Sequence, residues 1–261
     1  MRKPYCEPDG IFTDSYYSGR IKVFSPERVQ IFHPFVDKII SLVGRKAKVL
    51  DLGAGEGFFA KCCAQNGLDV VALEGSSEAV RYARESLSVD SRRHNLKNPL
   101  DFIENYFDFI IYHEVYEHVT PEVNKHVFKE AFKVLKPKGF FWVMSVCKYD
   151  LVERMELEHV NNTTPTELSK FGEEFGFKAE ILRSYFNISL FTPFFYDREL
   201  NINPAMDMFR KFLKRHYTII SLVFCPFWYP IWIINSNLLH WPILDFVTST
   251  CNVIFRKNAD Q

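Results

Sequence analysis

The sequence of 261 residues lacks an excess of charge of either sign, since lysine plus arginine and aspartate plus glutamate number 32 each. A chain without net charge creates no long-range field that attracts a polyanion, which argues against nucleic acid as a partner. The six cysteines include no Cys-x-x-Cys pair and no framework spacing, so we expect reduced thiols. The first ten residues, MRKPYCEPDG, are polar where a signal peptide has its apolar run, and together these absences predict a cytoplasmic protein.

Charged residues are absent from one long stretch, residues 217–244, within a segment of about 189–247 that is rich in aromatic residues. Its length would suffice for a transmembrane helix, which needs roughly 20 apolar residues. However, Pro226 and Pro230 would break a straight helix, and a single span would separate the last predicted strand from its sheet. Two interpretations stay open: an aromatic lid packed on the rest of the domain, or a peripheral membrane contact through residues 210–247.

Apolar strands alternate with amphipathic helices along the remaining chain, which indicates an α/β fold with a parallel sheet. A helix is predicted over residues 25–43, with Ser25 and Pro26 at its start and Gly44 after its end. The predicted main domain comprises residues 1–188, whose first 44 residues are a helical segment, and 248–261, and residues 189–247 are an insertion. The predicted strands are residues 47–52, 68–74, 105–113, 139–147, 177–189 and 248–257.

The first of these strands runs directly into a glycine-rich turn, DLGAGEG, with Gly53, Gly55 and Gly57 at alternate positions. Glycine lets the backbone turn sharply and lets a ligand approach without a clash against a β-carbon. Ligands of open parallel sheets bind at the carboxyl ends of the strands, where this turn lies. Glu74 ends the next strand, where its carboxylate can accept hydrogen bonds from the hydroxyls of a ribose. The combination predicts a nucleoside-containing cofactor, although a nicotinamide-binding turn would have its third glycine one residue later.

A tight group of ionisable residues, in the segment YHEVYEHV, lies at the end of the strand predicted over 105–113. If residues 114–118 begin a helix, the spacing of Glu114, Glu117 and His118 directs all three side chains to one place. Two carboxylates and an imidazole can hold a divalent cation or position a proton acceptor. The alternative is an exposed helix start, where the helix dipole favours the acids and the histidine is solvated. The residues alone leave both interpretations open.

Four segments in this order, VLDLGAGEG, VVALEGS, FDFIIYHEVYEHV and VLKPKGFFWVMSV, resemble the class I S-adenosylmethionine-dependent methyltransferases over about residues 45–186. The resemblance implies a Rossmann-like, doubly wound sheet of seven strands, mostly parallel, with an antiparallel last strand after the apolar insertion. It implies S-adenosyl-L-methionine as the cofactor. Asn95 stands where the family commonly has an aspartate that binds the adenine amino group, and Asp90 competes for this role. The cofactor-binding residues that the resemblance implies are Asp51, Gly53, Ala54, Gly55, Glu74, Gly75, Asn95, Leu96 and His113.

Within this family, EVYEHV is similar to the ubiquinone-pathway O-methyltransferases and to enzymes that methylate the terminal 2′-hydroxyl of small RNAs. The resemblance implies a divalent metal, Mg²⁺, Mn²⁺ or Zn²⁺, bound by Glu114, Glu117, His118 and His159. Without a metal, the catalytic candidates are His118 as general base, His159 and His113. The remaining histidines have no such setting, and we expect ordinary structural roles for them: His33, His94, His126, His216 and His240.

The predicted function is methyl transfer to a hydroxyl of a small hydrophobic acceptor, such as a quinone precursor, a lipid-linked intermediate or a secondary metabolite. The aromatic insertion favours a hydrophobic acceptor. RNA is less favoured because basic residues cluster only at 210–215. The alternatives of another class are a catalytically silent cofactor-binding protein docked to a membrane or partner, and a nicotinamide oxidoreductase.

Overall fold

A computed structural model of the chain describes residues 29–147, 159–182 and 250–259. Strands and helices alternate along these residues as the sequence predicts. The strands are β1 Lys48–Leu52, β2 Asp69–Glu74, β3 Ser91–Arg93, β4 Phe107–His113, β5 Leu135–Val146, β6 Phe177–Ile181 and β7 Thr250–Lys257. The helices are α1 His33–Val43, α2 Phe58–Gln65, α3 Ser77–Leu87, α4 Pro121–Val134 and α5 Pro165–Glu173.

The seven strands form one sheet in the order β3-β2-β1-β4-β5-β7-β6. The strands β1 to β5 pair in parallel, whereas β7 is antiparallel to both β5 and β6. This confirms the predicted Rossmann-like sheet with its antiparallel last strand. In the register of the sheet, Asp51 of β1 lies between Ala72 of β2 and Ile111 of β4. The carboxyl ends of these three strands therefore meet at one edge, where ligands of such sheets bind.

The sheet is buried on both faces, which explains why its central strands are almost continuously apolar. Along β4, Phe109 and Ile111 contribute to the hydrophobic core on one face, and Ile110 and Tyr112 contribute to the core on the other. This alternation follows from the two-residue period of a strand. The last residue of β4 before the site, His113, therefore points to the same face as Phe109 and Ile111.

Two predicted boundaries were wrong. Strand β5 begins at Leu135, directly after α4, and not at Gly139. Pro137 explains the early end of the helix, because proline disfavours the helical conformation in the residue before it. The first helix is not continuous from residue 25: a turn at residues 31–32 precedes α1, whose first turn contains Pro34. The predicted start at Ser25 lies outside the described residues.

The predicted end of α1 is confirmed, since Gly44 has φ 79° and its N–H donates to the Ile40 carbonyl at 2.8 Å. The short strand β3 had no distinct signal in the sequence. The insertion at 189–247, the membrane contact at 210–247 and most of the extension of β6 to residue 189 lie outside the described residues, so the division into domains stays a prediction. Within the described ranges, none of the helices has the length and apolar character needed to cross a bilayer.

Candidate cofactor and metal site

The glycine turn follows β1 and is closed against the end of β2. The N–H groups of Gly53 and Ala54 donate to the Leu73 carbonyl at 2.8 and 3.0 Å. Gly53 has φ 73°, and a β-carbon there would lie 2.5 Å from Cγ2 of Val115. Glycine is therefore required at residue 53 for its backbone conformation and for the close approach of the segment after β4.

Glu74 joins the turn to the segment after β2. Its Oε2 accepts the N–H of Gly55 and its Oε1 accepts the N–H of Ser76, both at 2.9 Å. A carboxylate has about four lone-pair positions, so both oxygens can accept further hydrogen bonds from a ligand. Burial raises the pKa of the Glu74 carboxyl, and the backbone hydrogen bonds oppose this shift. The carboxylate expected to bind a ribose is thus held rigidly beside the turn.

Asp51 is the second buried carboxyl of this edge, with 2% of its surface exposed. Its Oδ2 has no hydrogen-bond partner among the described residues. Burial, and secondarily the charge of Glu74, raise the pKa of Asp51 from its usual 3.8 to about 7. A buried oxygen without a partner is costly. A ligand that brings a cationic group or a hydrogen-bond donor would satisfy it.

The segment after β3 contains the two candidates for the adenine. Asn95 follows the carboxyl end of β3 and is exposed, and its Oδ1 accepts the N–H of Lys97 at 3.0 Å. Asp90 precedes β3 and pairs with Arg92 at 2.7 Å. It therefore lies at the end of the strand away from the glycine turn. The topology favours Asn95 over Asp90, with half-buried Leu96 beside it.

Residues 114–118 do not begin an α-helix, and the prediction that they do was wrong. The N–H of Glu114 donates to the Met144 carbonyl at 2.8 Å, which extends the pairing of β4 with β5. Glu114 has a left-handed φ of 52°, and a short 3-10 turn, Tyr116–His118, follows. Glu114 is consequently exposed, whereas Glu117 is buried with 1% of its surface exposed. The two carboxylates have different environments.

Glu117, His118 and His159 nevertheless form a cluster. One potential ligand atom of each side chain lies within 4.8 Å of the others, and within the described ranges no other group of three such residues does so. The rings of His118 and His159 are 4.6 Å apart. The backbone carbonyl of Glu117 accepts the N–H groups of Val160 and Asn161 at 2.8 and 3.1 Å, which brings His159 to the 3-10 turn. Three of the four predicted metal ligands are gathered, and Glu114 is outside this group.

The carboxyl of Glu117 has a perturbed acidity. Burial raises its pKa from 4.5 to about 7, and the charge of Glu114 contributes to the increase. His159 and the hydroxyl of Ser145 act in the opposite direction, since Ser145 Oγ donates to Glu117 Oε2 at 3.0 Å. Ser145 was not among the site residues predicted from the sequence. The available signal was a polar residue within the apolar strand GFFWVMSVC.

His113 lies apart from this cluster. Its ring packs against Phe32 and Phe59 in edge-on geometry, with ring centres 5.7 Å away in both cases, and lies 6.4 Å from Phe35. Burial lowers the pKa of the His113 imidazole. The neutral ring therefore belongs to an aromatic wall, defined here as Phe32, Phe35, Phe59 and His113, rather than to the group of potential metal ligands.

A sheet of this order, with a glycine turn and an acidic residue at the carboxyl ends of adjacent strands, is an arrangement that binds nucleoside-containing cofactors. Residues 50–143 match a family model described as a methyltransferase domain. The chain is 26% identical over 197 residues to a ubiquinone biosynthesis O-methyltransferase of Actinobacillus pleuropneumoniae, covering 70% of this chain and 77% of that relative.

Solved structures support the same fold. A SAM-dependent methyltransferase from Archaeoglobus fulgidus matches with a TM-score of 0.56 and 16% identity, over 88% of this chain and 94% of the other. A putative sarcosine dimethylglycine methyltransferase from Galdieria sulphuraria also has a TM-score of 0.56 and 16% identity, over 94% and 98% of the two chains. The chain therefore has the fold of the S-adenosylmethionine-dependent methyltransferases, and its residues 50–143 match a methyltransferase domain.

The described residues fit S-adenosylmethionine. The cofactor carries an ammonium group, which suits the unpartnered carboxylate oxygen of Asp51, and ribose hydroxyls, which suit the carboxylate of Glu74. Its positively charged sulfonium supplies an electrophilic methyl group when it is bound. The chain then has to orient an acceptor and to remove the acceptor's proton.

Proposed function

We propose that this methyltransferase acts on a hydroxyl oxygen of a small hydrophobic acceptor, and that Glu117, His118 and His159 hold a divalent cation beside it. The observation that carries the proposal is the cluster of one buried carboxylate and two imidazoles within 4.8 Å. The cluster lies next to the cofactor turn, since Val115 packs against Gly53 and is two residues before Glu117.

The donor set supports a metal role. One carboxylate and two imidazoles are ligands that Mn²⁺, Fe²⁺ and Zn²⁺ accept, whereas Mg²⁺ prefers oxygen ligands only. A nearby cation would also favour the ionised form of Glu117, whose pKa burial raises to about 7. Such a cation would lower the pKa of the acceptor hydroxyl, which is a poor nucleophile in its neutral form.

Two observations support the choice of acceptor. The relative from Actinobacillus is named as an O-methyltransferase of ubiquinone biosynthesis. The aromatic wall, which belongs to the hydrophobic core at the end of β4, would give an acceptor of this kind apolar surroundings. His113 contributes to this wall as a neutral ring, and in the absence of a metal the base role is better suited to His118 or His159, which adjoin the Glu117 carboxylate.

The test is methylation of a panel of hydrophobic phenols and matched anilines, with products identified by mass spectrometry. Reactions are run in EDTA and then with Mg²⁺, Mn²⁺ or Zn²⁺. We expect O-methylated products, loss of turnover in EDTA, and recovery with Mn²⁺ or Zn²⁺ that Glu117→Gln abolishes. Glu122→Gln, an exposed glutamate of α4, is the matched control and should recover normally.

Each part of the proposal can fail separately. Methylation of anilines but not phenols would refute the hydroxyl acceptor. Full turnover in EDTA, with Glu117→Gln equally active, would refute the metal. In that case His118→Ala and His159→Ala would identify the base through the loss of the neutral-pH limb of the rate profile.

A further inference from the structure

A second group of ionisable side chains lies outside the cofactor and metal clusters, between α4 and the segment that follows β3. These side chains line a small cavity of about 10 Å³, which has room for one water-sized species. Three of them carry ligand chemistry: His94, His126 and Glu130. The rest of the lining is Leu52, Leu96, Asn98, Leu100 and Val127.

The two histidines share one anomaly. The Nε2 atoms of His94 and His126 are both buried, and neither has a hydrogen-bond partner among the residues that the structure describes. Buried polar atoms are rarely left without partners, and an exception indicates a water or an ion that occupies the site. Because both nitrogens belong to side chains of one pocket, a single bound species can satisfy the two of them.

The hydrogen bond of His94 defines which of its nitrogens is available. Its ring makes a hydrogen bond to the backbone of Asn98 that favours the protonated ring, so the ring is the donor. Since Nε2 has no partner, the donor is Nδ1–H, and Nε2 carries the lone pair. Burial and the neighbouring His126 lower the pKa of His94, which keeps the ring neutral. A neutral imidazole whose second nitrogen donates to a carbonyl is the usual form of a histidine metal ligand.

Glu130 completes the group. It follows His126 by four residues on α4, so both side chains lie on the same face of the helix. Its Oε2 accepts the N–H of Leu100 at 2.7 Å, which places the carboxylate at the pocket and ties the segment after β3 to the helix. Its negative charge acts on His94.

We propose that this pocket is a second cation site, in which His94 Nε2, His126 Nε2 and the Glu130 carboxylate bind a divalent transition-metal ion such as Zn²⁺. Two imidazoles and one carboxylate match the ligand preference of this class of ion. The ligand atoms of these three residues do not all lie within 4.8 Å of one another, so the proposal requires their side chains to converge when the ion binds. The N–H of His94 donates to the Glu74 carbonyl at 2.9 Å, so the ion would tie the segment after β3 to both β2 and α4.

The test is calorimetric titration of the cofactor-free full chain with Zn²⁺ at neutral pH. We compare the wild type with His126→Ala, His94→Gln and Glu130→Gln. We expect the first two variants to lose one equivalent of zinc, and Glu130→Gln, which can still accept the Leu100 N–H, to bind that equivalent at least tenfold more weakly. His33→Ala, a histidine outside both clusters, is the matched control and should bind as the wild type does.

The two metal sites are distinguished by Glu117→Gln, which should leave the equivalent that depends on His126 unchanged. That equivalent is expected whether or not the Glu117 cluster binds metal. Circular dichroism of each variant checks that the chain is folded. Identical zinc isotherms for the wild type and the folded pocket variants would overturn the proposal, as would a single equivalent that only Glu117→Gln removes.

Discussion

The substitution Asp51→Asn should change how the stability of the cofactor-free protein depends on pH. The Asp51 carboxyl has its pKa raised from 3.8 to about 7 in the folded chain, mainly by burial. Between these two pH values the folded form keeps a proton that the unfolded chain has lost. Stability from this group is therefore fully present below about pH 4 and is lost as pH rises through about 7.

The size of the effect follows from the width of this window. Each pH unit is worth about 1.4 kcal/mol, so the full interval of about three units amounts to about 4 kcal/mol. Asparagine has nearly the same shape and cannot ionise. We expect Asp51→Asn to match the wild type near pH 4 and to be more stable by up to about 4 kcal/mol at pH 8.

The measurement is urea unfolding of the cofactor-free protein at several pH values from 4 to 8. Glu117→Gln serves as a comparison, because the pKa of Glu117 is also raised to about 7. This substitution should remove the separate contribution of Glu117 to the dependence of stability on pH. Exposed Glu122→Gln should leave the profile of the wild type unchanged. Parallel profiles for Asp51→Asn and the wild type would refute the reasoning about the buried carboxyl.

The remaining predictions concern the sheet edge, the turn and the acidity of Glu117. Lys257→Met should lower the unfolding free energy by about 3 kcal/mol, because the buried ammonium donates to three oxygens near the end of α4 at 2.8–2.9 Å. Gly53→Ala should weaken cofactor binding at least tenfold by calorimetry, and Val115→Ala should restore part of the loss, since it removes the clash but not the positive φ. The hydrogen bond from Ser145 lowers the pKa of Glu117, so its loss in Ser145→Ala should raise that pKa and move the acid limb of the rate profile to higher pH.

Each of these results has a control. Lys170→Met, at an exposed lysine, should change the unfolding free energy by less than about 0.5 kcal/mol. Ser41→Ala, at an exposed serine, should leave the rate profile unchanged. If Lys257→Met is as mild as its control, the three hydrogen bonds contribute no net stability. Equal cofactor affinity for Gly53→Ala and the wild type would contradict the tight packing of the turn. An unchanged acid limb in Ser145→Ala would show that this limb of the rate profile does not report the ionisation of Glu117.

The cofactor half of the site could be predicted because its signals are local. A strand that runs into alternating glycines, and an acid at the end of the next strand, determine the turn from neighbouring residues. The helix caps are equally local. At the start of α5 the Thr164 hydroxyl accepts the N–H of Glu167, and the Glu167 carboxylate accepts the N–H of Thr164. Parallel pairing then places Asp51 and Glu74 at one edge.

The metal half could not be predicted in detail because it depends on contacts between distant residues. The spacing of Glu114, Glu117 and His118 suggested a helix, yet the Glu114 N–H pairs with the Met144 carbonyl of β5. The left-handed φ of Glu114 and the 3-10 turn after it then leave Glu114 exposed and Glu117 buried. Ser145 reaches Glu117 from 28 positions along the chain, and no pattern in either segment encodes that hydrogen bond.

The sequence alone determined the order of strands and helices and the glycine turn, because periodicity, glycine positions and caps act over a few residues. Tertiary structure decided the strand order, the acidity of Asp51 and Glu117, and which histidines are neighbours. His118 meets His159 across 41 positions, while His113 is enclosed by phenylalanines. Burial and long-range proximity arise only when the sheet has formed, and these two quantities control the charge state of each group at the site.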